Sequence, residues 1–274
     1  MKKKINKKIN KKPGDLELKL LAYIQMTNAK TISTGDVVKV LGITKQRENT
    51  LFSVMNKKGM ILRITTGYYL IPDKISPTSN ALIDGMEILF YLMNYYDAKY
   101  IISGPTAIYY YGFTTQIPNR IYVYNDKICG DKQISNNAFV FMQTSIKRLK
   151  GAKTISTNKG LKIPFASKSR LLIDCIYDWN RYNTIPKVFT WIRKEISQDP
   201  KVTSNLISDA IRYGNKAVIA RLGYCLDQIG IEQGELNRLR KKIAESKSII
   251  PLIPDTDLKG SVNKKWGLII NGQI

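Results

Sequence analysis

Between Asp15 and Pro72 the chain is cut by cap and turn residues into pieces that suit only small elements. Asp15 fits a helix N-cap or a first-turn acid. Leu16, Leu20, Leu21 and Ile24 follow at helical spacing to about Asn28. Ser33, Thr34 and Asp36 offer a second helix start, Val37, Val38 and Leu41 line one face, and Gly42 stops it. Thr44 caps a third helix that ends at Gly59, a residue suited to a left-handed stop. Its apolar positions are Leu51, Val54 and Met55. Gln46, Asn49, Thr50, Ser53 and Lys57 recur at steps of three and four and form one polar face. Residues 60–65 then alternate, Thr66-Gly67 can turn, and Tyr68 to Ile71 make a second strand before Pro72. Three short helices followed by a hairpin, with the second and third joined by a few residues around Gly42, is the order of a winged helix-turn-helix. The spacing therefore predicts such a domain over 15–72.

The remainder predicts an α+β chain. Residues 1–14 are a basic tail, read as a solvated flexible arm, and 73–82 (DKISPTSNAL) are a linker. A C-terminal domain over 83–274 divides into mixed α/β at 83–165, a mostly helical part at 166–248 and an irregular but packed tail at 249–274. A helix is expected from Ile83 to Tyr96 and a strand at Tyr100 to Ser103. A helical turn follows from Thr106 to Tyr111, then strands at Arg120 to Tyr124 and Ala138 to Gln143. A hairpin is expected around TNKG at 157–160. From Ser167 the pattern is helical: one helix through Trp179, then 187–196, 202–213, 217–229 and 234–246.

Charge narrows the partner. Lys and Arg number 44 against 21 Asp and Glu, a net +23. Seven lysines lie in the first twelve residues, and without them the balance is still +16. This suggests a polyanionic partner. A solubility surface, or the Ile, Asn and Lys bias of an AT-rich genome, accounts for the same excess.

Several chemistries are poorly served. The chain has no histidine, so Ser-His-Asp and Cys-His arrangements lack their base. Cys129, Cys175 and Cys225 form no CxxC pair, and no metal site or cofactor is expected. The scattered cysteines fit reduced thiols in a cytoplasm. No secretory segment or apolar run of membrane-spanning length stands out, so no membrane partner is expected. Phosphate-cradling glycine motifs are absent, and Gly104-Pro105-Thr106 reads as a turn because proline lacks an N–H. Asp84, Asp97, Asp126, Asp131, Asp174, Asp178 and Glu195 are the acids considered for a metal nuclease. They include no acid-x-Lys strand, so no enzyme is expected.

The third helix offers the chemistry of base reading. Thr44, Lys45, Gln46, Arg47, Asn49 and Thr50 stand at its N-terminal end. Arg suits O6 and N7 of guanine, and Gln or Asn suits N6 and N7 of adenine. Lys57, Lys58, Arg63, Thr65 and Thr66 are placed for phosphates or the groove beside the wing. Lys147, Arg148, Lys150 and Lys153 form a second basic cluster that could meet flanking phosphates, or could be an ordinary solvated loop. The aromatic run IYYYGF at 108–113 reads as core packing.

Four segments in order carry a resemblance over nearly the whole chain from about residue 15. They are the wing end GYYLIP (67–72), YIISGPTAIYYYGFTTQIPNRIYVY (100–124), KIPFASKSRLLIDCI (162–176) and NKKWGLIIN (263–271). Together they resemble the AbiEi antitoxin family of type IV toxin–antitoxin and phage abortive-infection systems. The resemblance implies a cytoplasmic transcriptional autorepressor whose winged helix binds inverted repeats in its own promoter, two copies to an operator. It also implies that the chain counteracts a nucleotidyltransferase-like toxin without needing to touch it. The alternative is a winged-helix regulator whose C-terminal domain senses a ligand or partner, with no antitoxin role. A DNA nuclease is the third possibility, and the missing acid-x-Lys strand opposes it.

Overall fold

The computed structural model describes residues 13–74, 83–244 and 248–274. Most of the expected basic arm, and 75–82 of the expected linker, lie outside these residues. The chain is α+β, with eleven α-helices and three sheets among the described residues. It divides into two compact units. One comprises residues up to Ala98 together with Lys132–Ala138, and the other comprises Lys99–Asp131 and Phe139–Ile274.

In the first unit α1 spans Asp15–Thr27, opened by the acids Asp15 and Glu17 and closed by Asn28 in the left-handed region at φ 49°. β1 (Thr31–Ser33), α2 (Val38–Leu41), α3 (Lys45–Lys57), β2 (Leu62–Thr65), β3 (Tyr68–Leu70) and α4 (Gly85–Tyr95) follow. The three strands form an antiparallel sheet in the order β1-β3-β2. Here the local signals and the fold differ. Ser33, expected to start the second helix, ends β1 instead. The β-branched Thr31 and Ile32 pair with Leu70 and Tyr69, leaving α2 one turn long. Gly42 stops that turn at φ +62°, as its position suggests. Leu20, Ile24, Val37, Phe52, Met55 and Ile61 form the centre of this unit's core.

The units part after Ala98, not in the 73–82 segment where the linker was expected. Aromatic packing explains the difference. Tyr95 at the end of α4 stacks on Tyr68 of β3 with ring centroids 4.5 Å apart, and Tyr96 shares a 3.1 Å hydrogen bond with Thr65. Residues 132–138 join the same unit: the Asn137 amide donates to the Ile83 carbonyl at 3.1 Å, and the Lys132 ammonium sits 5.5 Å from the Tyr96 ring centre.

The second unit begins with β4 (Tyr100–Ile102), α5 (Gly104–Tyr110) and β5 (Arg120–Asn125). In chain order β6 (Gly130–Ile134) and β7 (Asn137–Gln143) follow, of which residues 132–134 and 137–138 are counted with the first unit, and then a 3-10 turn (Ile146–Leu149), β8 (Ala152–Ser156) and β9 (Lys162–Ala166). The six-stranded sheet runs β6-β7-β5-β4-β9-β8; β4 is antiparallel to β5 and parallel to β9. β6 was not expected, since GDKQI has a single β-branched residue.

Then come α6 (Lys168–Tyr177), α7 (Trp179–Tyr182), α8 (Lys187–Gln198), α9 (Val202–Tyr213), α10 (Lys216–Ile229) and α11 (Gln233–Ile243). This is the expected helical C-terminal part, although Asp178, at φ −101° and ψ 35°, breaks the first expected helix in two. α6 is buried on all sides: Leu171, Leu172, Ile173, Cys175 and Ile176 have no exposure. The tail is more regular than expected. β10 (Ile250–Pro251), β11 (Ser261–Asn263) and β12 (Leu268–Ile270) form a small sheet in the order β10-β12-β11. Trp266 anchors it against α10, where a side chain on Gly223 would come within 2.1 Å of the indole. No helix among the described residues is long and apolar enough to cross a membrane.

Candidate nucleic-acid interface

The polar edge of α3 is held from both ends. At the start, the Thr44 hydroxyl accepts the Arg47 N–H at 3.2 Å, the N-cap bond its position suggests. In the middle, Glu48 turns inward and is fully buried. Its carboxylate accepts the N–H of Gly35 at 2.7 Å and of Val37 at 3.1 Å. These donors precede α2, so Glu48 fixes α2 against α3. At the far end the Lys58 ammonium donates to both Glu17 oxygens at 2.7 and 2.8 Å, with each side chain only 9% exposed.

This anchoring leaves Thr44, Lys45, Gln46, Arg47, Asn49, Thr50, Ser53 and Lys57 exposed, while Leu51, Phe52 and Met55 are buried. Thr50 donates its hydroxyl hydrogen to the Gln46 carbonyl at 3.1 Å, so toward a ligand its oxygen can only accept. Lys58 is corrected: its largely buried pair with Glu17 withdraws it from the phosphate-facing set.

The β2–β3 hairpin stands next to this edge. Asn56 of α3 accepts the Arg63 N–H at 2.8 Å, and Arg63 is exposed. Its guanidinium bends over the turn, donating to the Thr65 carbonyl at 3.4 Å and the Thr66 hydroxyl at 3.2 Å. Thr65 is tied to Tyr96, and Thr66 is exposed. Gly67 takes φ +71°, and its carbonyl accepts the Thr34 N–H at 2.8 Å, which fixes the turn. A cavity of about 360 Å³ beside the hairpin is lined by Arg63, Ile64, Thr65, Thr66, Lys132, Gln133 and Ile134. Lys132 is thus a cation beside the hairpin that the sequence pattern did not single out.

The second basic cluster separates into different roles. Lys147, Lys150 and Lys153 are exposed, but Arg148 is not a surface cation. It lies 3.7 Å from the Tyr177 ring centre, donates to Asp174 at 3.0 Å and donates to the Tyr213 carbonyl at 2.9 Å. Arg170 meets the same Asp174 at 3.0 Å from within α6, and Ser103 donates to it at 2.8 Å. Burial pushes the Asp174 carboxyl above the usual range, and the two guanidiniums and the Ser103 hydroxyl pull it back. Among the described residues the outer Nη2 of Arg170 has no hydrogen-bond acceptor; its guanidinium lies 4.1 Å from the Tyr213 ring centre.

Most of the other acids named for metal chemistry are similarly engaged. Asp178 meets the Tyr124 hydroxyl, Asp131 pairs with Arg120 at 2.5 Å and Glu195 pairs with Lys168 at 2.9 Å. Asp84 caps α4, Asp126 accepts the Lys99 N–H at 2.9 Å, and Asp97 takes φ 47° in the turn after α4. Among the described residues no group of three His, Cys, Asp or Glu side chains could hold a metal. Burial pushes the Cys175 thiol up and the Cys225 thiol up to about 12, the opposite of what a thiolate nucleophile needs.

No family model and no curated protein matches the chain. Among solved structures it is similar to the RV2827C protein from Mycobacterium tuberculosis, at 12% sequence identity and a TM-score of 0.59. The match covers 95% of this chain and 93% of that one. At this identity the likeness is one of fold.

Proposed function

We propose that the first unit is a winged helix-turn-helix and that the chain is a DNA-binding autorepressor acting as an antitoxin of the AbiEi kind. The observation that carries the DNA reading is α3. Its Lys45–Thr50 edge is exposed apart from Glu48, while the buried Glu48 and the capping Thr44 hold the backbone rigid. In this reading α3 enters the major groove. Arg47 faces guanine, Gln46 and Asn49 face adenine, and the β2–β3 hairpin sets Arg63, Thr66 and Lys132 on the neighbouring backbone. One unit covers a half-site, so an inverted repeat takes two copies, roughly 34–36 Å apart or a multiple of that.

The test is fluorescence anisotropy on the DNA upstream of the chain's own gene. Arg47→Ala should lose about 1–3 kcal/mol on that site and far less on unrelated duplex. If Gln46→Ala, Arg47→Ala and Asn49→Ala all leave the operator affinity unchanged, α3 is not the reader.

The antitoxin role rests on the resemblance at 100–124, 162–176 and 263–271. A nucleotidyltransferase encoded next to this gene, with growth rescued when both are expressed, supports it. Loss of rescue only in variants that no longer fold would leave the second unit's surface as the next target. The second reading, a regulator whose second unit senses a ligand, draws on a cavity of about 550 Å³ there. Phe113, Tyr122, Tyr182 and Trp191 line it together with Gln116 and Asn119. Its mark is an operator affinity that shifts with a small molecule, and no rescue.

A further inference from the structure

A cavity of about 1060 Å³ in the second unit lies between α10, α11 and the residues around the β11–β12 turn. Lys216, Arg240, Lys241, Lys264 and Lys265 line it. Among the described residues no carboxylate lines it. Lys265 is engaged by Asp227 at 2.7 Å. Asp227 also accepts the Trp266 indole N–H at 3.0 Å, so this wall is fixed.

Lys216, Arg240, Lys241 and Lys264 are exposed, and among the described residues none of them has an ion-pair partner. They come from three separate stretches of sequence, so their gathering is a product of the fold and not of one basic run. Like charges drawn onto a concave wall repel one another and focus a positive potential into the space they enclose.

We propose that this cavity is a binding site for an anion carrying clustered phosphates. Four cations on three sides exceed what a single carboxylate can meet, whereas adjacent phosphates offer an oxygen and a charge to each. Trp266 is only 1% exposed, and among the described residues no other aromatic ring lines the cavity, so none there offers a base a face to stack on. The site therefore recognises phosphate and not the base attached to it. Two sources supply that chemistry: a free polyphosphate chain, as in a nucleoside triphosphate, and the backbone of a nucleic-acid strand. The inference does not depend on the role of α3.

The full chain is titrated with tripolyphosphate by calorimetry and with a labelled oligothymidylate of about twelve nucleotides by anisotropy, both at about 150 mM salt. Any binding of the oligonucleotide at α3 is common to the two triple variants compared below and cancels between them. Lys216→Ala/Arg240→Ala/Lys241→Ala is compared with a charge-matched control at exposed sites elsewhere in the unit, Lys127→Ala/Lys194→Ala/Lys201→Ala. The proposal expects saturable binding of at least one probe, weakened about tenfold or more by the cavity variant and less than about twofold by the control. Tripolyphosphate alone identifies the free source, oligothymidylate alone the strand, and both the shared chemistry. Saturable binding of neither probe, or equal losses in the two triple variants, overturns the proposal. Unchanged thermal melts confirm that the exposed substitutions leave the fold intact.

Discussion

Glu48→Gln tests whether the helix proposed to read DNA is positioned from inside the core. The wild-type carboxylate accepts two buried backbone N–H groups, from Gly35 at 2.7 Å and Val37 at 3.1 Å. Glutamine keeps the volume but offers one acceptor oxygen, so the other site sets an NH2 against an N–H. The retained bond loses its charge assistance, about 1 kcal/mol. The lost bond leaves a desolvated donor unpaired, about 1–3 kcal/mol. The expected sum is about 2–4 kcal/mol, a large share of what a unit of this size has to spare.

In urea, with a slope of about 1.5 kcal/mol per molar, the midpoint of the first unit should fall by about 1–3 M. All three tryptophans, at 179, 191 and 266, belong to the second unit, so indole fluorescence does not report the first directly. The assay is therefore circular dichroism at 222 nm, with operator binding followed in parallel. Binding should weaken even where the chain remains folded, because α2 and α3 lose their fixed angle. A midpoint within about 0.3 M of wild type would refute the argument that Glu48 organises this pair of helices.

Four further outcomes follow from the contacts. Arg148→Ala should cost about 2–4 kcal/mol in thermal melts, with any loss of DNA affinity tracking the folded fraction, since its guanidinium is committed to Asp174 and Tyr213. Lys132→Ala should lower stability by no more than about 1 kcal/mol, the cation–π contact with Tyr96, weaken operator binding a few-fold and reduce the salt slope by about 1 from a starting value near −7 for about eight phosphate contacts. Gly223→Ala should destabilise despite the better helix propensity of alanine, by about 1–3 kcal/mol in thermal melts, because the new methyl meets the Trp266 ring. Asp227→Asn should lower the melting temperature at pH 6 and lose that difference in acid. Burial of Asp227 acts to raise its carboxyl, but hydrogen bonds from Lys265, Trp266 and Gln233 together hold it below its usual 3.8. A depressed folded-state value gives stability that is present above 3.8 and lost as pH falls below it, so the gap between the two melts should close toward pH 3.

The parts of the fold that the sequence discloses are those set by neighbours in the chain. Thr44, Gly42, Gly59 and the Thr66-Gly67 turn act within a few residues, and each stands where its local chemistry suggests. The same locality explains the misses. Lys58 and Arg148 have the composition of phosphate contacts, yet their partners are Glu17 and Asp174, 41 and 26 residues away. Nothing near either cation announces a carboxylate that arrives through the fold. β6, β10 and β11 hold one β-branched residue each and β12 is only three residues long, so pairing defines them. Lys132 carries no local mark either, since its setting depends on Tyr96 and Arg63 standing nearby.

The membership of residues 132–138 in the first unit has a consequence for the order of synthesis. The chain to Ala98 leaves the ribosome first, yet the last piece of that unit lies about 40 residues further on. At about 5–20 residues per second the nascent first unit waits about 2–8 s for Lys132 and Asn137. During that interval Tyr96 lacks the cation above its ring, and the Ile83 carbonyl lacks its amide donor. A fragment ending at Ala98 should resemble this waiting state: α1 to α4 formed, but less protected from amide exchange around Ile83 and Tyr96 than the same residues in the finished chain.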